Sequence, residues 1–430
     1  MDMRTQTLYE HRLLIISNNV LSMTRSNGKT IMSYFDCLPK SMVRQLYFST
    51  ELPSISGYDY FQITDKDIIK GFFYSAKRGR RITEVKEDNY KLYQQTPNKI
   101  KKPIIRLMRE LLWLHRWKSA HLIDWLDDYQ PTDIFFVGGD SLFAFSICHF
   151  IVNKYKARLL LYLTDDYILH RQNESFVSRI RRILIKNKLN ECLKETDTFF
   201  TISQPMRKKY FEIFGKDSSI VVNMSEPLKK ELPRTDNAEI ELIYAGSLYY
   251  GRVDVLHEIA LAIQTYNSKK PQKIAKLRIY TNIAPSAEEK EKICIANASE
   301  YGGRLTREEL INALNMADIL VFVESFDSNQ IENTRLSLST KVSEYMSVGK
   351  PILAIGPEEI GSMMYLKDFA LCINDINDLR GKLTAFLESE EERDYYGEIA
   401  LRGYEKFHVK GNIQKTFIDK VFGIQVSKEV

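Results

Sequence analysis

The sequence predicts an α/β protein of two Rossmann-like domains that face each other across a cleft. Three observations predict it. Compact apolar runs ending in glycine or polar residues alternate with longer mixed runs, which is the spacing of βαβ units. A charged, proline-bearing stretch, SEPLKKELPRTDNA at 225–238, interrupts that rhythm, which then restarts. The chain of 430 residues, 44% of them hydrophobic, is long for one core and suits two.

In the first half, RLLIISNNV (12–20) reads as a strand running into the polar loop TRSNGKT (24–30) and then a helix from Ile31. DIFFVGGD (133–140), ARLLLYLTDDY (157–167) and DTFFTIS (197–203) read as further strands of a parallel sheet covered on both faces. Residues 1–225 make the first domain and 226–238 the linker. IELIYAGSL (240–248) is then a strand entering a glycine loop, DVLHEIALAIQTYN a helix and AKLRIYTN (275–282) a strand. REELINALNMADILVFVE (307–324) is a helix feeding a strand. LSTKVSEYMSVG (338–349) is a helix followed by the strand KPILAIG, and FALCIN (369–374) is another strand. With a helix at 377–390 these set the second domain at 239–390. The helix-permissive segment 391–430 is left to pack back on the first. Ligands of such sheets sit outside the C-terminal strand ends.

The formal charge of +5 is unevenly spread: Lys+Arg against Asp+Glu is 35 to 24 in residues 1–225 and 26 to 32 in residues 226–430. KRGRR (77–81), KKPIIRLMRELLWLHRWK (101–118) and RIRRILIKNK (179–188) interleave basic with apolar residues. Solvated helices, an anionic membrane surface and nucleic acid all fit such segments, and charge alone does not choose among them. The longest apolar stretch, 135–152, contains Asp140 and reads as a strand end plus a helix rather than a membrane span. The N-terminal apolar run lacks a small-residue cleavage site. Cys37, Cys148, Cys192, Cys294 and Cys372 form neither a metal pattern nor a disulfide framework, so a reducing, cytoplasmic setting is expected.

Several residues could carry chemistry. TRSNGKT lacks the first glycine of a phosphate loop, because position 23 is Met23, so a nucleoside triphosphatase is disfavoured. Gly28 would still permit close backbone approach at a helix N-terminus. Asp165 and Asp166 end a strand, where either could hold sugar hydroxyls or act as a general base, and one of them suits a helix cap. In YAGSLYYGR (244–252), Gly246 and Gly251 bracket a loop, Ser247 offers a hydroxyl and Arg252 a permanent cation suited to a diphosphate. YGGRLTREEL (301–310) places Thr306 as an N-cap with Glu309 completing a capping box. In STKVSEYMSVGKPILAI (339–355), Ser339, Thr340 and Lys341 could hold phosphates while Glu344 accepts ribose hydroxyls. The plain alternative is a surface Lys341–Glu344 pair one helical turn apart.

TKVSEYMSVGKPILA and AGSLYYGR together resemble the glycosyltransferases of the GT-B fold, in particular the GT4-like group of bacterial polysaccharide synthesis. The resemblance is firmest over 240–375. It implies Glu344 as the ribose acceptor, Gly246 and Arg252 as diphosphate contacts, and Arg304 and Leu305 beside the base. It also implies loop 24–30 near the donor phosphate and Asp165 or Asp166 facing the sugar. Two positions depart from the family pattern: the first glutamate of E-x7-E is replaced by Leu336, with Glu332 the nearest upstream acid, and His257 stands where the donor-loop lysine belongs. The implied reaction moves a hexosyl group from a nucleoside diphosphate sugar, a UDP-sugar as first guess, with retention and without metal or cofactor. Its acceptor would be a glycan or polyisoprenyl-linked saccharide in cell-surface polysaccharide synthesis. The implied partners include an anionic membrane surface but no nucleic acid, with the protein peripheral on the inner face of the cell membrane. A catalytically inactive partner of another transferase and a nucleotide-sugar epimerase are the competing readings.

Overall fold

The structure is a computed structural model that describes residues 10–23, 26–71, 78–82, 85, 103–114, 116–230, 239–270 and 274–423. It divides into two compact units, residues 1–221 with 411–430, and residues 222–410. The segment 391–430 is therefore not one body. Its first half, the helix Glu390–Phe407, packs in the second unit against the helix Thr340–Val348. Gly403 makes room there for Met346 and Phe369, since a Cβ would lie 2.6 Å from each. Residues from Gly411 onward join the first unit, where Phe417 stacks among Tyr34, Phe35, Phe135 and Phe200.

The first unit holds an eight-stranded sheet made of β1 (Leu13–Ser17), β2 (Val43–Tyr47), β3 (Asp59–Gln62), β4 (Arg80–Ile82), β5 (Asp133–Gly138), β6 (Arg158–Leu163), β7 (Thr198–Thr201) and β8 (Ser219–Ile220). Its order is β4-β3-β2-β1-β5-β6-β7-β8, parallel throughout except that β4 runs against β3. Leu13 to Ile16 are wholly buried, as expected of a strand covered on both faces. Four of these strands, β2, β3, β4 and β8, were not expected from the sequence. The loop expected at 24–30 is shorter, because a helix already begins at Ser26.

The second unit holds β9 (Glu239–Ala245), β10 (Ile274–Tyr280), β11 (Ser299–Gly303), β12 (Ile319–Val323), β13 (Ile352–Ile355) and β14 (Leu371–Ile373). The order β11-β10-β9-β12-β13-β14 is parallel throughout. The chain reverses its direction of travel across the sheet between β9 and β12, and such a switch point opens a crevice at the C-terminal strand ends.

One buried residue of this unit contributes to its acid stability. His408 is fully buried, its Nδ1 2.7 Å from the Asn223 carbonyl and its Nε2 2.7 Å from the Tyr365 hydroxyl. Burial pulls its pKa down to about 4 from the ordinary 6.5. The unfolded chain therefore takes up this proton below pH 6.5 while the folded one does not until about pH 4, so stability is lost as pH falls through that window. The loss amounts to about 3 kcal/mol. Urea unfolding followed by circular dichroism at pH 7 and about pH 4.5 should show a steeper loss in the native chain than in His408→Gln (H408Q). Equal losses would refute the assignment.

Candidate functional site

The site lies where the second sheet switches direction. β9 ends at Ala245, and its exit is pinned by Tyr345, whose hydroxyl accepts from the Ala245 N–H at 3.0 Å. The loop that follows closes with Tyr250 and Gly251 both left-handed, at φ 62° and 70°. Gly251 is required there twice over, because a Cβ would also meet the Ser325 Oγ at 2.5 Å. Gly251 then caps the helix Arg252–Lys269, which points its N-terminus at the strand ends.

Arg252, the first residue of that helix, is largely buried. Its Nη2 donates to both oxygens of Glu324 at 3.1 and 3.0 Å, Nη1 to the Ser247 Oγ at 3.0 Å and Nε to the Val323 carbonyl at 3.2 Å. Glu324 follows the last residue of β12 and is 2% exposed. The buried carboxylate thus holds the guanidinium at the crevice with its fork fixed.

Lys341 reaches the same place from the helix Thr340–Val348, which Ser339 caps with its side chain. Its Nζ lies 4.8 Å from the centre of the Tyr244 ring, across the face of Gly246. A Cβ on Gly246 would sit 1.7 Å from that nitrogen, so the glycine is what lets the lysine lie there. The Lys341 N–H donates to the Ser339 Oγ at 3.4 Å, while its ammonium has no hydrogen bond or ion pair with any described residue. The plain alternative, a Lys341–Glu344 pair, does not form: Glu344 is bound by Arg307 at 2.9 Å. Burial pushes the Lys341 ammonium down to about 7; the charge of Arg252 acts in the same direction, and Glu324 and Glu344 oppose it. A partly buried ammonium with no carboxylate in direct contact, beside a second cation and two helix N-termini, is a place for an anion.

This environment carries a prediction. Only the protonated amine attracts phosphate, so nucleoside diphosphate affinity should fall as pH rises through 7, by at most about tenfold per pH unit. Lys341→Arg (K341R) keeps its charge and should flatten that dependence in titrations at about pH 6 and pH 8. The same slope in both proteins would exclude Lys341 from the anion site.

The structure thus gathers Gly246, Ser247, Arg252, Ser339, Lys341 and Glu344 on one unit's strand ends. Thr340 and Arg304 are exposed and Leu305 is half-buried, the last two just before the helix Arg307–Met316. Thr306 and Glu309 form the expected capping box on that helix. Glu324, Arg307 and Tyr244 belong to the cluster although sequence reasoning singled out none of them. The available signal for Glu324 was a carboxylate closing an otherwise apolar strand, ILVFVE.

The remaining candidates lie on the first unit. Gly28 is in a helix rather than a loop, and its role there is packing, because a Cβ would meet the Val20 carbonyl at 2.2 Å. Asp166 is a turn cap: its Oδ1 accepts from the N–H groups of Ile168 and Leu169, both at 3.0 Å, and from the Tyr210 hydroxyl at 3.4 Å. Its expected catalytic role is therefore set aside. Asp165 accepts from the Thr164 and Tyr167 hydroxyls at 3.3 Å each. A separate surface groove on the second unit, at the opposite strand ends and lined by Asn267, Ala275, Cys294 and Asn297, contains none of the cluster. Asn267 spends its amide there on the Ala275 and Asn297 carbonyls.

Residues 252–416 match the family model described as glycosyl transferase-like. No curated protein matches the sequence. Among solved structures, a trehalose-6-phosphate protein from E. coli bound with UDP-2-fluoro glucose is 14% identical, covering 96% of this chain and 99% of its own, at a TM-score of 0.62. HepE from Anabaena, in complex with UDP-glucose, is 11% identical over 96% of this chain and 100% of its own, at 0.59. An α,α-trehalose 6-phosphate synthase from Burkholderia multivorans is 13% identical over 96% and 99%, also at 0.59. The chain therefore has a GT-B fold of two Rossmann-like units, within which residues 252–416 resemble a glycosyl transferase-like domain.

Proposed function

From a glycosyl transferase-like domain on this fold, we propose that the protein transfers a hexosyl group from a nucleoside diphosphate sugar to an acceptor hydroxyl. The observation that supports it most is the convergence of Arg252 and Lys341 beside Gly246 at the switch point of the second sheet. In the reaction the bond between the anomeric carbon and the diphosphate oxygen breaks, and the acceptor oxygen bonds to that carbon. Negative charge grows on the departing diphosphate, where Arg252, Lys341 and the N–H groups at two helix N-termini stabilise it. Lys341 supplies the cation that His257 does not. Glu344, oriented by Arg307, accepts from the ribose hydroxyls. Two of the structurally similar proteins are bound with UDP sugars, which makes UDP the first nucleotide to try.

The acceptor in this reading is a glycan or polyisoprenyl-linked saccharide of cell-surface polysaccharide synthesis, met on the inner face of the membrane, with retention at the anomeric carbon. Asp165 is the acceptor-side carboxylate on the first unit. Incubation with pooled nucleotide sugars and a membrane-lipid extract, read by mass spectrometry, should give both released nucleotide and an acceptor heavier by one hexosyl residue. Nucleotide release without any mass gain would contradict transfer. An absence of both would favour a non-catalytic partner protein.

A further inference from the structure

A surface helix ordinarily turns its apolar stripe inward and its charges to water. Helix Pro103–Trp113 in the first unit does the reverse. On its inner side, beside the buried Trp113, Arg109 Nε pairs with Asp65 at 2.7 Å, Arg106 Nη1 with Asp140 at 3.2 Å, and Glu110 is buried. On its outer side Ile104, Ile105, Met108 and Leu111, with Leu114 just beyond, are 46 to 63% exposed.

The helix Phe176–Glu195 packs beside it, and its first half shares the inversion, whereas Ile185, Leu189, Cys192 and Leu193 further along are buried in the ordinary way. Arg181 is buried between the two, reaching Glu110 at 3.4 Å and Asp140 at 3.3 Å. Phe176, 77% exposed, projects outward with Ile180, Ile183 and Leu184. The ionic network thus fastens the two helices from within, and their long apolar side chains form the outer surface. Exposed apolar area of this extent marks an interaction site.

Charge indicates what the surface meets. Residues 175–188 contain five basic residues and no acid, and the one acid of residues 103–118 is the buried Glu110. Arg179, Lys186 and Lys118 are exposed around the apolar residues. Aliphatic side chains ringed by cations match a bilayer with anionic headgroups, where the apolar face enters the acyl boundary and the cations stay at headgroup level.

We propose that the helix Pro103–Trp113 and the first half of the helix Phe176–Glu195 are a membrane-docking face that seats the first unit on anionic phospholipid. No residue of the nucleotide site belongs to this face, so its failure and that of the donor reading are separable. The full chain should sediment with phosphatidylcholine vesicles containing phosphatidylglycerol at about 0.15 M salt, and much less with phosphatidylcholine alone. Met108→Asp with Leu111→Asp (M108D/L111D) alters only exposed positions and should lower vesicle binding by about tenfold or more. Arg179→Glu with Lys186→Glu (R179E/K186E) should remove the preference for anionic vesicles. Calorimetric nucleotide binding should be unchanged in both variants. Sedimentation velocity supplies the contrary outcome: a dimer in the native chain that M108D/L111D dissolves would show a second copy covering the face and overturn the proposal. So would equal vesicle binding by native and variant proteins, or none by either.

Discussion

Arg252→Ala (R252A) should lower turnover by about a hundred- to a thousandfold while changing donor affinity far less. The reasoning follows from where charge grows. The ground-state diphosphate is already anionic and binds many cations; in the proposed reaction only the departing diphosphate gains further charge, and the guanidinium is already fixed at the strand ends by Glu324, Ser247 and the Val323 carbonyl. Arg252→Lys (R252K) keeps the charge but loses the fork and should recover only part of the rate. Because R252A also leaves the buried Glu324 carboxylate without its partner, the comparison is best made with R252A/E324Q, which removes that charge as well. Full turnover in R252A, or a loss confined to donor affinity, would remove the arginine from the leaving-group role.

Glu324→Ala (E324A) should destabilise the second unit by about 3–5 kcal/mol. It removes one member of a buried ion pair and leaves a guanidinium that is only 11% exposed without its carboxylate. The three tryptophans, Trp113, Trp117 and Trp125, all belong to the first unit. Tryptophan emission therefore follows that unit, while far-ultraviolet circular dichroism follows both. In urea, E324A should bring forward a transition seen by dichroism and leave the emission midpoint in place. A shift of both together, or of neither, would contradict a local role for the pair.

The strands legible in the sequence were those buried on both faces. LLIIS, DIFFVG and ILVFV carry unbroken apolar runs of four or five residues because helices cover a parallel sheet on both sides. The missed strands carry polar side chains that the fold satisfies at a distance. Gln45, in β2, is fully buried and spends its amide on the Ser17 hydroxyl, the Asn19 carbonyl and the Leu21 N–H. Gln62, in β3, is likewise buried and binds the Ser49 and Glu51 carbonyls and Arg80. A glutamine in mid-strand breaks the apolar pattern, and its partners are remote in sequence.

The candidate site divides in the same way. Gly246, Arg252, Lys341 and Glu344 stood out because each is unusual beside a turn or a helix start. The Gly349 turn was legible too, and the glycine there is left-handed at φ 73°, ending the helix that carries Lys341 and Glu344. Glu324 and Arg307 act through partners 72 and 37 residues away, Arg252 and Glu344. Lys341 and Glu344 share a helix turn but have separate neighbours, Tyr244 and Arg307, which spacing alone could not show.

The central claim is that the strand ends of the second unit hold a nucleoside diphosphate sugar. Calorimetric titration of the full chain with UDP-, GDP-, ADP- and dTDP-sugars tests it most directly. Saturable binding of at least one donor is expected, weakened in Glu344→Ala (E344A) with the dichroism spectrum unchanged. No saturable binding to any donor, or undiminished binding in E344A, would contradict it.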